Sequence, residues 1–204
     1  MEIRLEKRED YGEVENLVRE AFWNVYQPGC VEHYLLHQLR KDPSFVPELD
    51  YVVEEQGQIV AQIAYAKGVY LPDEGTEQEM LLFGPVGVLP NFQGKGYGSS
   101  LIRFSLERAK ELGWPSVVIT GNPAYYSRFG FEPAGSYGIY HELLGREEAS
   151  PVFQIKVFDP ARLPTVPGTY RDSACYQVSQ EDVDEFDKQF PDKKKEVRPG
   201  QLRG

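Results

Sequence analysis

The reading of this chain turns on one stretch: Gly84-Pro85-Val86-Gly87-Val88-Leu89-Pro90-Asn91-Phe92-Gln93-Gly94-Lys95-Gly96-Tyr97-Gly98-Ser99-Ser100-Leu101-Ile102. Met80 to Leu89 is strongly apolar and reads as a strand. Gly84, Pro85 and Gly87 within it weaken pairing, which predicts a bulge or a place where backbone approaches a ligand. Gly94, Gly96 and Gly98 follow, and Leu101, Ile102, Ser105, Ala109 and Leu112 then mark one face of a helix that Gly113 is placed to stop. A strand that runs through a glycine turn into a helix is an anion site in outline. The first N–H groups of the helix have no intrahelical acceptor, the helix dipole adds positive potential, and glycines let a phosphate reach the backbone. The spacing fits neither common nucleotide loop. In G-x-G-x-x-G the last position falls on Ser99 counted from Gly94 and on Leu101 counted from Gly96, while Gly94-Lys95 is followed by Gly96 where a P-loop needs Ser or Thr.

The rest of the chain can be read outward from this point. Ile3 to Glu6 alternates as a short strand, and Asp10 with Glu13 has the form of a capping box. Val14, Leu17, Val18, Ala21 and Phe22 recur at helical spacing. Pro28-Gly29 breaks the chain, and Leu35, Leu36 and Leu39 predict a shorter helix that ends before Pro43. Tyr51 to Val53 is a strand, Gln56-Gly57 a turn, Ile59 to Tyr70 a longer strand and Pro72 to Thr76 a loop. Beyond the helix of the glycine turn come a buried strand at Val117 to Ile119, a turn at Gly121-Asn122-Pro123, a short helix around Tyr125 and Tyr126 ending at Gly130, and a strand at Val152 to Phe158. Ala174 to Val178 is a candidate for one more strand. Three consecutive strands that can join by hairpins make the sheet mixed, in an α+β domain. Ser179 to Phe190 predicts a short helix capped by Ser179 with Val183, Phe186 and Phe190 facing inward. Asp192 to Gly204 has few apolar residues and reads as a loose tail. The expected division is a domain over 1–178 and an extension over 179–204.

Composition bounds the function. The chain has 204 residues, the size of one domain with an extension. Lys and Arg number 22 against 32 Asp and Glu, a net charge of −10, which argues against a general nucleic-acid binder. The 41% hydrophobic and 26% charged residues are those of an ordinary globular protein. Cys30 and Cys175 form neither a disulfide framework nor a zinc spacing, which suits a reducing compartment. No run approaches the ~18 apolar residues of a membrane helix, and Met1 to Lys7 lacks the apolar stretch of a signal peptide. The expectation is a cytoplasmic protein with no membrane or nucleic-acid partner. His33, His37 and His141 form no metal constellation with carboxylates, so no metal is expected.

Gln93-Gly94-Lys95-Gly96-Tyr97-Gly98 resembles the (Arg/Gln)-x-x-Gly-x-(Gly/Ala) motif of the GNAT superfamily of acyl-CoA-dependent N-acyltransferases. Gly84 to Pro90 looks like that family's fourth strand, and Pro123-Ala124-Tyr125-Tyr126-Ser127-Arg128-Phe129-Gly130-Phe131 is similar to its Tyr…Gly-Phe segment, in the form of the bacterial subgroup with Tyr-Tyr-x-Arg-Phe-Gly-Phe. The element order agrees from Ile3 to about Phe158. The resemblance implies a mixed, mostly antiparallel sheet with splayed fourth and fifth strands, and acetyl-CoA as the acyl donor. It implies that backbone N–H groups of Gln93, Gly94, Lys95, Gly96, Tyr97, Gly98 and Ser99 hold the pyrophosphate. Val86, Gly87 and Val88 would pair with the pantetheine arm, Gly87 standing where the family usually has a larger residue. Asn122 and Arg128 are further cofactor candidates, Arg128 reading equally as a contact to CoA phosphates or as a solvated charge. Tyr126, four residues before Gly130, matches the family's general acid, and a phenol with a reference pKa of ~10 stays protonated at neutral pH, ready to protonate a leaving thiolate.

The implied acceptor is a small-molecule amine or a protein amino group, and both a monomer and a homodimer stay open. The general base is not identified: Glu32, His33 and His37 lie in the second-helix region, each more simply read as an exposed helix residue. Cys30 near His33 reads as incidental, since direct transfer needs no thiol nucleophile. The alternatives are an acyl-CoA-binding sensor without turnover, which an intact Tyr126 disfavours, and a nucleotide-binding domain, which the glycine spacing disfavours.

Overall fold

The computed structural model describes residues 1–146 and 150–201. Its sheet is mixed and mostly antiparallel, with helices flanking it. By internal contacts the chain divides into two units, one of Met1–Ala64, Pro85–Leu101 and Ala174–Gly204, the other of Tyr65–Gly84 and Ile102–Ser173.

In the first unit, β1 (Glu2–Leu5) pairs antiparallel with β2 (Tyr51–Glu55), and β2 with the opening half of β3 (Gln58–Pro72). A bulge lies between Val53 and Glu54. The amphipathic helix is α1 (Tyr11–Phe22), with Val14, Leu17 and Val18 fully buried. Each such side chain contributes about 1.5–3 kcal/mol by leaving water. The expected capping box is absent. Asp10 ends a 3-10 turn, and its carboxylate accepts from Arg4 at 2.6 Å and from the Lys7 amide at 2.8 Å. Glu13 accepts from the Ile59 amide at 3.2 Å. The second helix, α2, covers Glu32–Leu39.

β4 (Gln78–Val88) begins in the second unit, where it pairs in parallel with β5 (Ser116–Thr120) at Leu81–Val117 and Leu82–Val118. The strand itself continues to Val88. The helix α3 (Tyr97–Glu111) buries Leu101, Ile102, Ser105 and Ala109 as its spacing predicts, and Leu106 besides, whereas Leu112 is half exposed beyond its end. Ser105 Oγ lies 2.9 Å from Tyr65 Oη. After α4 (Pro123–Tyr126) come three short strands, β6 (Glu132–Pro133), β7 (Ile139–His141) and, beyond β8 (Phe153–Val157), β9 (Gly168–Arg171). β8 lies antiparallel between β5 and β6, and β9 lies between β7 and the far end of β3.

Two expectations for the C-terminal region change. Ala174–Tyr176 is a 3-10 turn, not a strand: the Gln177 amide donates back to the Ala174 carbonyl at 3.0 Å. The helix expected after Ser179 is α5 (Gln180–Asp187), and Ser179 Oγ accepts from the Asp182 amide at 3.1 Å. The stretch expected to trail loosely from Asp192 is tied to α1 and the residues after it. Lys193 Nζ donates to Glu20 at 2.8 Å, and the Lys194 carbonyl accepts from Trp23 Nε1 at 3.0 Å. Polar contacts supply what its sparse apolar residues do not. Leu202, counted among those few, lies outside the described residues.

Candidate active site

Gly84 sits in β4 at φ +149°, a backbone region nearly closed to residues with a Cβ, and it marks the irregularity expected in this strand. Gly87 has a different reason to lack a side chain. A Cβ there would lie 3.2 Å from Leu17 Cδ2 and 3.5 Å from Ala21 Cβ, so α1 packs directly on the strand backbone. Val86 and Val88, on either side, are half-buried. Gln93 Nε2 donates to the Val88 carbonyl at 3.0 Å and ties the turn to the end of β4.

The turn itself is open. Gln93, Gly94, Lys95 and Gly96 are exposed, Gly94 and Gly96 have φ of +72° and +91°, and a Cβ on either would meet nothing within 4 Å. Lys95 Nζ lies 5.2 Å from the Phe92 ring centroid, and Phe92 packs edge-on against Tyr97. The helix ladder begins with the Ser100 amide donating to the Gly96 carbonyl at 2.9 Å, so the amides of Tyr97, Gly98 and Ser99 precede the first intrahelical acceptor. An exposed concave backbone with outward N–H groups at a helix start suits a pyrophosphate. The structure thus brings Val86, Gly87, Val88 and Gln93 through Ser99 together in the first unit.

Asn122, Tyr126 and Arg128 lie together in the second unit. Asn122 Oδ1 accepts from the Ala124 amide at 3.0 Å and caps α4, and Pro123 begins the helix. The half-buried Tyr126 ring lies against Gly121, where a Cβ would collide with it, and packs on Phe83, Tyr125 and Phe131 with centroids 5.0–5.9 Å away. Arg128 is exposed, its guanidinium 4.6 Å from the Tyr125 ring centroid. Gly130 ends the segment at φ +79°.

The residues weighed as a base fall into different surroundings. His33 is fully buried, not an exposed helix residue. Its Nδ1 is 3.4 Å from Cys30 Sγ, and its Nε2 is 3.1 Å from Asp187 Oδ1 at an angle too poor for a hydrogen bond. Burial pushes the imidazole down to about 4 and the Cys30 thiol well up, so this Cys–His–Asp arrangement is a neutral packing node and not an activated nucleophile. His37 has both ring nitrogens engaged, by Glu15 at 2.9 Å and Lys41 at 2.6 Å. Glu32 is half-buried and accepts from the Val31 amide at 3.0 Å, and burial raises its carboxyl.

Arg19, Asn24 and Asp187 escape a sequence reading. Arg19, 1% exposed, makes a two-pronged bond to Asp187 at 2.5 and 3.0 Å across 168 residues, and no local pattern announces such a pair. Asn24 left one clue, as Asn is among the few residues that tolerate a left-handed backbone.

A strand kinked at Gly84 that leads through an open glycine turn into a helix has the form of the donor site of an acyl-CoA-dependent transferase. Residues 2–134 match the GNAT acetyltransferase domain, and the chain belongs to that family. It is an N-acetyltransferase in fold and kinship. It is 28% identical over 155 residues to the uncharacterized N-acetyltransferase YhbS of Escherichia coli K12, covering 76% of this chain and 87% of that protein. The solved YhbS structure in complex with CoA superposes with a TM-score of 0.72 at 27% identity, over 86% of this chain and 91% of that one. A GNAT acetyltransferase from Brucella melitensis in complex with acetyl-CoA gives 0.67 at 29% identity, over 86% and 97%. Among the described residues no helix is long and apolar enough to cross a membrane.

Proposed function

We propose that the chain transfers an acetyl group from acetyl-CoA to a primary amine by direct attack in a ternary complex. The observation that carries this reading is the open backbone cradle from Gly94 to Ser99, tied by Gln93 to the end of β4. The similarity to proteins solved with CoA and acetyl-CoA supports the same donor.

In this reading the amides of Gly94 to Ser99 bind the pyrophosphate, the Gln93 amide being held by the Pro90 carbonyl at 3.3 Å, and Asn122 and Arg128 remain as cofactor candidates. The backbone of Val86, Gly87 and Val88 orients the pantetheine arm. Acetyl-CoA supplies a thioester carbonyl for the amine and a thiolate leaving group. Tyr126 holds a phenolic proton for that thiolate; the support is its position in the Tyr…Gly-Phe segment and the chemistry of the group. The acceptor is a small-molecule amine or a protein amino group, and two free cysteines, Cys30 and Cys175, suit a reducing cytoplasmic setting.

The test is thiol release from acetyl-CoA over a panel of amines, with mass analysis of the acceptor. Amine-dependent release with an acetylated product is expected. Acetyl-CoA binding without release for any amine would favour the sensor reading.

A further inference from the structure

Asn24 stands just past the end of α1, in the loop Trp23–Val31 that leads to α2. It is 3% exposed and holds a φ of +59°, a conformation that costs most residues energy. Its polar groups are all engaged. The backbone amide donates to the Gly29 carbonyl at 2.8 Å, and Oδ1 accepts from the Gly29 amide at 2.8 Å, closing the loop on itself. The remaining contacts go to the C-terminal segment. Nδ2 donates to the Lys194 carbonyl, Oδ1 also accepts from the Glu196 amide, and the Asn24 carbonyl accepts from Gln201 Nε2, each at 3.0 Å. Trp23 Nε1 shares the Lys194 carbonyl, and Arg19 Nη2 donates to the Pro191 carbonyl at 3.0 Å. Loop and segment therefore order one another, because the segment supplies the acceptor for the Asn24 Nδ2 group and the donor to the Asn24 carbonyl.

The place of this loop gives the clamp its consequence. Leu17, Val18 and Ala21 of α1 pack on the backbone of Gly87, the strand position assigned to the donor arm, and the loop begins two residues after Ala21. Pro191 to Gln201 lies beyond the residues 2–134 that match the family domain.

We propose that Asn24 is a positioning residue for acyl transfer: through it the segment Pro191–Gln201 holds the loop Trp23–Val31 in the shape that receives the amine acceptor. This rests on the donor reading of β4 given above. The acceptor must reach a thioester carried along Val86 to Val88, and this loop continues the helix that covers that strand.

The test compares the full-length wild type with Asn24→Gly, which keeps the positive φ and removes the carboxamide, and with Gln201→Ala, which removes the bond to the Asn24 carbonyl together with two bonds inside the segment. Acetyl-CoA affinity is measured by titration, and thiol release is followed with spermidine, tyramine and a lysyl peptide. For any amine that the wild type acetylates, Asn24→Gly is expected to raise the amine KM about tenfold, with acetyl-CoA affinity within about twofold and kcat little changed. Gln201→Ala shifts the amine KM in the same direction by less. An amine KM unchanged in both variants while wild-type turnover is intact would overturn the proposal and leave the donor reading standing. So would a parallel loss of acetyl-CoA affinity, the mark of a merely structural role. No thiol release by the wild type with any of the three amines would overturn the transfer reading and this proposal together.

Discussion

Tyr126 carries two roles that one substitution separates. Its ring is part of an aromatic cluster with Phe83, Tyr125 and Phe131, and its hydroxyl is the group assigned to the leaving thiolate. Tyr126→Phe keeps the ring and removes the proton. Turnover is expected to fall ~10²–10⁴-fold, the usual worth of general acid catalysis, with acetyl-CoA affinity nearly unchanged. Unaltered turnover in a chemistry-limited reaction would remove Tyr126 from the mechanism, and a loss of affinity alone would leave it the packing role. Gly96 poses a separate test. At φ +91° and exposed, it accepts a Cβ only with backbone strain, and Asp adds a negative charge where phosphates are expected. Gly96→Asp should abolish the rise in melting temperature that acetyl-CoA gives the wild type by mass action. A folded variant with normal binding would show the loop assignment to be wrong.

The elements around α1 show how a polar segment becomes ordered. α5 is fastened by Arg19, whose guanidinium bonds Asp187 and lies 4.3 Å from the Trp23 ring centroid and 5.3 Å from that of Phe190. Phe186 and Phe190 close over the His33 ring at 5.5 Å each. From this anchor the chain continues to Lys193, Lys194 and Glu196, each bonded to Glu20, Trp23 or Asn24. Truncation after Pro191 leaves Trp23 Nε1 and Asn24 Nδ2 without their acceptor. With about 1 kcal/mol for each lost bond and 2–4 °C per kcal/mol in a chain of this size, the melting temperature should fall by roughly 4–8 °C. A side-by-side melt decides it, and an unchanged midpoint would restore the loose tail expected from composition.

For the whole chain, buried ionisable groups make stability depend on pH. His33 faces Arg19 and Asp187, with Lys195 near enough to act on it, and burial lowers it to about 4 against an ordinary value near 6.5. Between these values the unfolded chain binds a proton that the folded chain refuses. Its contribution is therefore complete above about pH 6.5 and is lost as pH falls toward 4, up to ~3 kcal/mol. Asp50, buried beside Glu6 and Arg40, is pushed well above the carboxylate range and acts oppositely, its contribution being lost as pH rises through its raised value. The two overlap, so the His33 part is read by difference. Denaturant titrations at pH 4.5 and 7 should show a larger acid loss in the wild type than in His33→Gln, and equal losses would contradict the assignment.

What could be read from residues alone was whatever local chemistry dictates. The helical spacing of Val14, Leu17 and Val18, the glycines opening the helix at Tyr97, and the Gly130 stop all sit within a few residues of what they cause. So did the motif spacing behind the family resemblance. The short strands Glu132–Pro133, Ile139–His141 and Gly168–Arg171 have no room for a period, and Ala174 to Val178 looked more like a strand than any of them. Pairing alone makes them strands: β6 runs beside β8, and β9 lies between β3 and β7, whereas Ala174–Tyr176 closes on itself as a turn. Composition likewise marked Asp192 onward as unable to bury apolar surface. That inference was sound, but it did not foresee that a buried Asn24 and Trp23, some 170 residues away, would need the acceptors and donors of that segment. Periodicity and turn chemistry act along the chain. The satisfaction of buried polar groups acts through space, between residues that only the folded chain brings into contact.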